Sequence, residues 1–446
     1  MQKNELVTIT CIDYDSEGLG MGKTEDGFCV FVKDLILGET AEVQLINVKK
    51  NYGYGRAMKR LNDAPGRVIP TCPIAYQCGG CQIQHMSAET QAEFKQSRVE
   101  NVMKRIAKTD CTVNPIITMA TPWNYRNKVQ VPFAIDKNGL LISGFYRAHS
   151  HDILPFSDCF LQPSEQNNIL KYILDFYNSR ELKPEMLKTV LLKKAFATDE
   201  CMVVLITNTW DLTQRKQLVE GLLETFPNIK SVVQNLNNRN DNVLLGNEDR
   251  CLTTQSTITD QLGDFKFQIS SKSFYQVNPI QAKVLYDLAA EFAELKETDT
   301  VMDLFSGIGT IAIWVSRKVK EVLGVEILPQ AIQDAKANAA INHIENITWF
   351  NGDAAGISAQ LSEENKKIDV IIVDPPRKGL DESTIESIAA IQAERLVYIS
   401  CDPATLARDI NLLQTKGYTV KKIQPVDMFP QTYHVETVVL MTKVKE

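Results

Sequence analysis

The sequence predicts an α/β protein. Residues 276–446 form a doubly wound, mostly parallel sheet, preceded by a small OB-like β-barrel over 1–62 and a central α+β domain over 63–275. Three observations carry this. A chain of 446 residues has the length of about three domains at roughly 150 residues each. Beyond 276, apolar strand-like runs alternate with helical stretches, the mark of a parallel sheet covered on both faces. In the first sixty residues, short β-branched and aromatic runs are broken by glycine turns, as in a small closed barrel.

Composition narrows the class further. Hydrophobic content is 44%, charged content 23%, and no apolar run reaches the length of a membrane helix, so a globular protein of the cytoplasm with no membrane partner is expected. A net charge of −7 argues against a general nucleic-acid coat protein. Ten cysteines in a reducing compartment read as free thiols, metal ligands or a nucleophile before disulfides. A monomer is the default.

Along the chain, VTITCIDYD, FCVFVKD and ETAEVQLINVKK are the barrel strands, and 49–67 carries six Lys/Arg against one Asp, interleaved with Tyr52 and Tyr54. Cations beside aromatics suit phosphate attraction and base stacking. Cys72, Cys78 and Cys81 follow, with five and then two residues between them. A helix over 87–108 then places Phe94, Val99, Val102 and Ile106 on one side and Lys95, Arg98, Lys104, Arg105 and Lys108 on the solvated faces. Residues 111–275 mix strands with a helix near 162–180. From 276 on, strands TVMDLF, EVLGVEI, IDVIIVD and RLVYIS alternate with helices near 281–295, 310–318, 329–342, 382–391 and 404–415. An antiparallel strand pair closes the chain.

Three motifs fall at the carboxyl ends of these strands, where open α/β sheets bind ligands, and a fourth lies in the closing strand pair. Asp303-Leu-Phe-Ser-Gly307-Ile-Gly309-Thr310 opens a helix. Glu326 ends the next strand, where a carboxylate can bind ribose hydroxyls, and Asp353 follows the third strand near the expected adenine. The third glycine of a dinucleotide fingerprint is absent, so the loop suits one nucleoside, as in S-adenosylmethionine, better than NAD. Asp374-Pro-Pro-Arg-Lys-Gly379 ends the fourth strand and Ser400-Cys401-Asp402-Pro403 the fifth. His434 and Glu436 share a strand face by the two-residue period. A thiolate and a carboxylate beside a methyl donor can methylate an unreactive pyrimidine carbon. The thiolate adds to the neighbouring carbon, and a base later removes the proton.

With Phe274-Tyr-Gln276-Val-Asn278 and Gln431-Thr-Tyr-His-Val-Glu436, these motifs stand in the order found in the uracil-5 RNA methyltransferases, and the chain resembles their ribosomal-RNA branch over nearly its full length. The resemblance implies a Rossmann-like methyltransferase domain, Cys401 as nucleophile and Glu436 as base. It implies that Gln276, Phe305, Glu326 and Asp374 surround cofactor and uracil. It also implies a TRAM domain at the N-terminus, and a 4Fe-4S cluster held by Cys72, Cys78, Cys81 and Cys159, with zinc as the competing occupant. Ser306 and Tyr433 depart from the common pattern. Radical methylthiotransferases also combine TRAM and cysteines, but with three and two intervening residues and TRAM last. The expected activity is methylation of carbon 5 of a uridine in 23S ribosomal RNA. The alternatives are the same reaction on transfer RNA, or a non-catalytic iron–sulfur RNA-binding assembly factor. Cys11, Cys29, Cys111, Cys201 and Cys251 carry no assigned role.

Overall fold

In the C-terminal part, runs such as Val370–Val373 and Arg395–Ser400 are buried at every position, which only a strand covered on both faces requires. The computed structural model of the chain describes residues 1–239, 241 and 243–444. Its C-terminal sheet has seven strands in the spatial order Ile347–Asn351, Glu321–Glu326, Thr300–Leu304, Val370–Val373, Arg395–Ser400, Glu436–Lys443, Tyr418–Val426. The first five are parallel, Glu436–Lys443 runs antiparallel to them, and Tyr418–Val426 pairs antiparallel with Glu436–Lys443. Because side chains alternate, Val301, Ile372, Val397 and Ile399 feed one core layer, and Met302, Leu304, Ile371, Val373 and Tyr398 the other. Helices Thr310–Ser316, Pro329–Ile341, Glu382–Ile391 and Pro403–Thr415 fall where the sequence places them. Helix Ala354–Glu363 is an addition to that set.

The N-terminal barrel is a six-stranded sheet between Leu6 and Arg60, with Ile9, Val30, Val32, Val43 and Leu45 in its core. Its face polarity is inverted in strand Tyr52–Arg60. Gly53 and Gly55 point inward, where a Cβ at Gly55 would lie 2.2 Å from Val43 Cγ1, while Tyr52 and Tyr54 point outward beside Phe31. The central part is a seven-stranded sheet running from Lys128–Ile135 to Glu248–Cys251, with helices Ser164–Asn178 and Arg215–Thr225 packed on it.

Two placements differ from the sequence reading. Helix Ala88–Val102 and the π-helical turn Met103–Ala107 do not belong to the central sheet. Val99, Met103 and Ala107 are buried in the core of the C-terminal sheet. Of the basic face, Lys104, Arg105 and Lys108 are exposed as expected, but Lys95 is fully buried and donates to Asp427 Oδ1 at 2.6 Å, while Ile106, expected inside, is 40% exposed. Secondly, hairpin Ile258–Leu262/Phe265–Ile269 joins the same core as Val301 and Ile372. No helix among the described residues is long and apolar enough to cross a membrane.

Candidate active site

Strand Thr300–Leu304 ends in a loop that must turn sharply into helix Thr310–Ser316. Phe305, Gly307 and Gly309 all take positive φ there. A Cβ on Gly309 would sit 2.7 Å from the Trp349 ring, whereas one on Gly307 would meet no atom within 4 Å. Gly307 therefore faces open space, and only backbone lies between it and a ligand. The Gly307 amide donates to Glu326 Oε2 at 3.0 Å, and the Leu328 amide to Glu326 Oε1 at 2.9 Å, so Glu326 is held against the loop. Asp303 accepts from the Ala312 amide at 2.9 Å through Oδ2. Its Oδ1 and the Ser306 hydroxyl are buried polar atoms with no protein partner. Open space, a clamped carboxylate and orphaned polar atoms fit a nucleoside cofactor. Asp353 acts locally, as its Oδ1 caps helix Ala354–Glu363 by accepting from the Gly356 amide at 2.8 Å.

The same sheet edge carries Cys401, Glu436 and Asp374. Register pairs Ser400 with Thr437 in antiparallel sense, so Cys401 and Glu436 occupy the next rung, on neighbouring strand ends. Asp374 follows strand Val370–Val373, and the Gln276 amide approaches its Oδ2 at 3.4 Å. Burial drives all three acidic groups toward their neutral forms. The Cys401 thiol is pushed up to about 12, first by burial and then by the Glu436 and Asp374 carboxylates. Glu436 lies well above its ordinary value for the same reason, with Asp374 adding to the effect. Burial alone raises Asp374 to about 7. The opposing charge is Arg377, which favours the ionised forms of both Cys401 and Glu436.

Arg377 lies inside the Asp374–Gly379 motif, whose pattern alone gives it no role. Its Nη2 donates to His434 Nε2 at 3.4 Å, an assignment forced by the absence of any acceptor on guanidinium. His434 lies in the loop before strand Glu436–Lys443, not on the strand face it was expected to share with Glu436. Burial and the Arg377 charge lower it to about 4, so it is a neutral imidazole at working pH.

Cys72, Cys78, Cys81 and Cys159 line one cavity of about 80 Å³ with Arg126 and Gln84. All four are free thiols, and burial pushes Cys81 up to about 12 and Cys159 to about 11. The Gly80 amide donates to Cys78 Sγ at 3.3 Å. Among the described residues, no three His, Cys, Asp or Glu side chains are arranged as a ready metal site.

A sheet of this order, with a nucleoside-type glycine loop on its first strand and a reactive edge beside it, defines a Rossmann-like methyltransferase. Comparison with known families agrees in detail: residues 89–444 match the tRNA (uracil-5-)-methyltransferase family and residues 3–58 the TRAM domain. The chain belongs to this family of S-adenosylmethionine-dependent uracil-5 RNA methyltransferases. It is 42% identical to an "Uncharacterized RNA methyltransferase" of Halalkalibacterium halodurans, across 99% of this chain and 98% of that one. A protein of the same description from Bacillus cereus is also 42% identical, across 100% and 98%. Among solved structures, the Pyrococcus abyssi tRNA (uracil-54, C5)-methyltransferase, in complex with S-adenosyl-L-homocysteine, is 25% identical with a TM-score of 0.76. That match covers 98% of this chain and 99% of the other.

Proposed function

We propose that the protein, as a cytoplasmic monomer, methylates carbon 5 of a specific uridine in 23S ribosomal RNA. The observation that carries uracil-5 methylation is the register that brings Cys401 and Glu436 level on neighbouring strand ends, one strand removed from the strand that leads into the glycine loop. Gly307, Phe305 and Glu326 would hold S-adenosylmethionine, which would supply an electrophilic methyl group on sulfonium. The Cys401 thiolate forms a bond to carbon 6 of the uracil, and the electron pair so displaced makes carbon 5 nucleophilic. Arg377 stabilises this thiolate. Carbon 5 takes the methyl group as the methyl–sulfonium bond breaks and S-adenosylhomocysteine leaves; Glu436 then takes the carbon 5 proton, the carbon 6–sulfur bond breaks and free thiolate is regenerated. Asp374 and Gln276 border the uracil, which must leave its stack to reach Cys401.

Support for ribosomal RNA is the pairing of a TRAM domain with a cysteine quartet in the branch the chain resembles. Transfer RNA is favoured instead by the likeness to the Pyrococcus abyssi enzyme. Incubation with labelled methyl donor and either unmodified 23S ribosomal RNA or unmodified transfer RNA separates them. Label appearing in transfer RNA alone would falsify the ribosomal assignment. Cys401→Ala should abolish incorporation on either substrate, and Glu436→Gln should accumulate a covalent RNA–protein adduct.

For Cys72, Cys78, Cys81 and Cys159 we propose a 4Fe-4S cluster. The donor set is all thiol, the four share one cavity, and a cation would offset the burial of their thiolates. Iron and sulfide assays on anaerobically purified protein test this. About four of each per chain is expected, and zinc without sulfide would refute it.

A further inference from the structure

The loop 427–435 connects the two closing strands and delivers Glu436 to its place. It has no regular structure of its own, yet its backbone carbonyls are gripped from every side. Asp427 O accepts from Gln281 Nε2 at 3.0 Å and Met428 O from Asn278 Nδ2 at 2.9 Å. Phe429 O accepts from Lys95 Nζ at 3.1 Å and Pro430 O from the Tyr125 hydroxyl at 2.9 Å. Gln431 O accepts from the Gln82 and Ile83 amides at 3.1 and 3.3 Å, and Tyr433 O from Arg98 Nη1 at 2.8 Å.

One helix supplies much of this grip. Gln91, Lys95 and Arg98 stand at i, i+4 and i+7 on a single face of Ala88–Val102. Gln91 clasps Gln431 twice, donating from Nε2 to Gln431 Oε1 at 3.0 Å and accepting from the Gln431 amide at 3.0 Å. Gln431 itself holds a positive φ of 71°, a conformation that persists only where neighbours impose it. Lys95 is the centre of this face. Its ammonium is fully buried, paired with Asp427 Oδ1 at 2.6 Å and bonded to Phe429 O, so it ties both ends of the loop's first turn to the helix. A buried ion pair of this kind is poor at adding stability compared with apolar packing; here it joins the helix to the start of the loop and fixes one against the other.

We propose that Lys95 is a positioning residue for methyl transfer: by fixing Asp427 and Phe429 it sets the course of the loop that places Glu436 opposite Cys401. The proposal rests on Glu436 acting as the base. Lys95 is fully buried and acts through the loop, so its effect falls on the proton-removal step, not on the earlier addition by Cys401.

Because Lys95→Met alone leaves Asp427 charged and unpaired in the core, the decisive protein is the double variant Lys95→Met/Asp427→Asn. It removes the buried charges but leaves Phe429 O without its ammonium donor. Expected is a fall in kcat on the order of a hundredfold with KM for RNA and S-adenosylmethionine nearly unchanged, together with accumulation of covalent RNA adduct. A wild-type kcat with no adduct overturns the proposal, whatever the change in Tm. Glu436→Gln is run alongside. If it traps adduct and the double variant does not, positioning by Lys95 fails alone. If it traps none, the base assignment fails and the proposal falls with it. Should the double variant not fold, Asp427→Asn alone, which breaks the Lys95 pair with little change of shape, decides the matter: it should trap adduct, and a wild-type kcat without adduct overturns the proposal.

Discussion

At the scale of single residues, the reactive edge combines groups that repel one another's charge. In the proposed reaction Cys401, at about 12, and a raised Glu436 must both lose a proton, so kcat/KM should rise with pH without levelling until about 12. Arg377→Ala removes the cation that favours both anions. The rate should fall and the pH profile should move to higher pH, and an unmoved profile would remove Arg377 from this role. Asp374 carries a stability consequence of opposite sign. Its folded value of about 7 exceeds 3.8, so the native state holds the extra proton between those limits. The stability it confers is present at low pH and lost as pH rises through 7. Asp374→Asn should therefore stabilise the fold at pH 8 relative to the parent, by an amount approaching roughly 4 kcal/mol, and should make little difference near pH 4. Thermal melts at the two pH values measure this directly.

At the scale of elements, the close approach of two strands depends on glycine beneath an indole. Gly324 pairs with Trp349 on the adjoining strand, and a Cβ there would fall 2.5 Å from the ring. Gly324→Ala should destabilise the domain by about 1–3 kcal/mol in urea melts and push strand Ile347–Asn351 outward. The strands themselves are readable from sequence, because buried parallel strands are unbroken apolar runs and their carboxyl ends coincide with Glu326, Asp374 and Cys401. Helix Ala354–Glu363 is not, since AAGISAQLSE has small and polar residues on most faces and its cap at Asp353 resembles a ligand. The basic helix misleads for a different reason. Lys95 looks solvated by local pattern, and its partner Asp427 lies 332 positions away. Alternation puts His434 on a strand, whereas the loop ends only at Glu436.

At the scale of the whole molecule, the N-terminal barrel has a core of its own, but the helix that follows is part of the catalytic domain. Deleting residues 1–62 should leave a folded protein that still transfers methyl groups to RNA with a higher KM. Deleting 1–107 should give insoluble protein, because the seat of Val99, Met103 and Ala107 is laid open. Solubility and circular dichroism of the two truncations distinguish these outcomes.

The placement of that helix also sets a clock on biosynthesis. Strand Glu436–Lys443 follows the end of helix Ala88–Val102 by more than 300 positions. At about 5–20 residues per second, the apolar face of the helix waits roughly 20 to 70 s for the strands that cover it. During that interval the nascent chain is a client for chaperones, and a stalled ribosome holds a protein with Cys401 made but its partner missing. The reacting pair is completed only with the last strand. An unfinished copy therefore carries the first member of the proposed pair without the second, and the sheet edge that would hold both is complete only as synthesis ends.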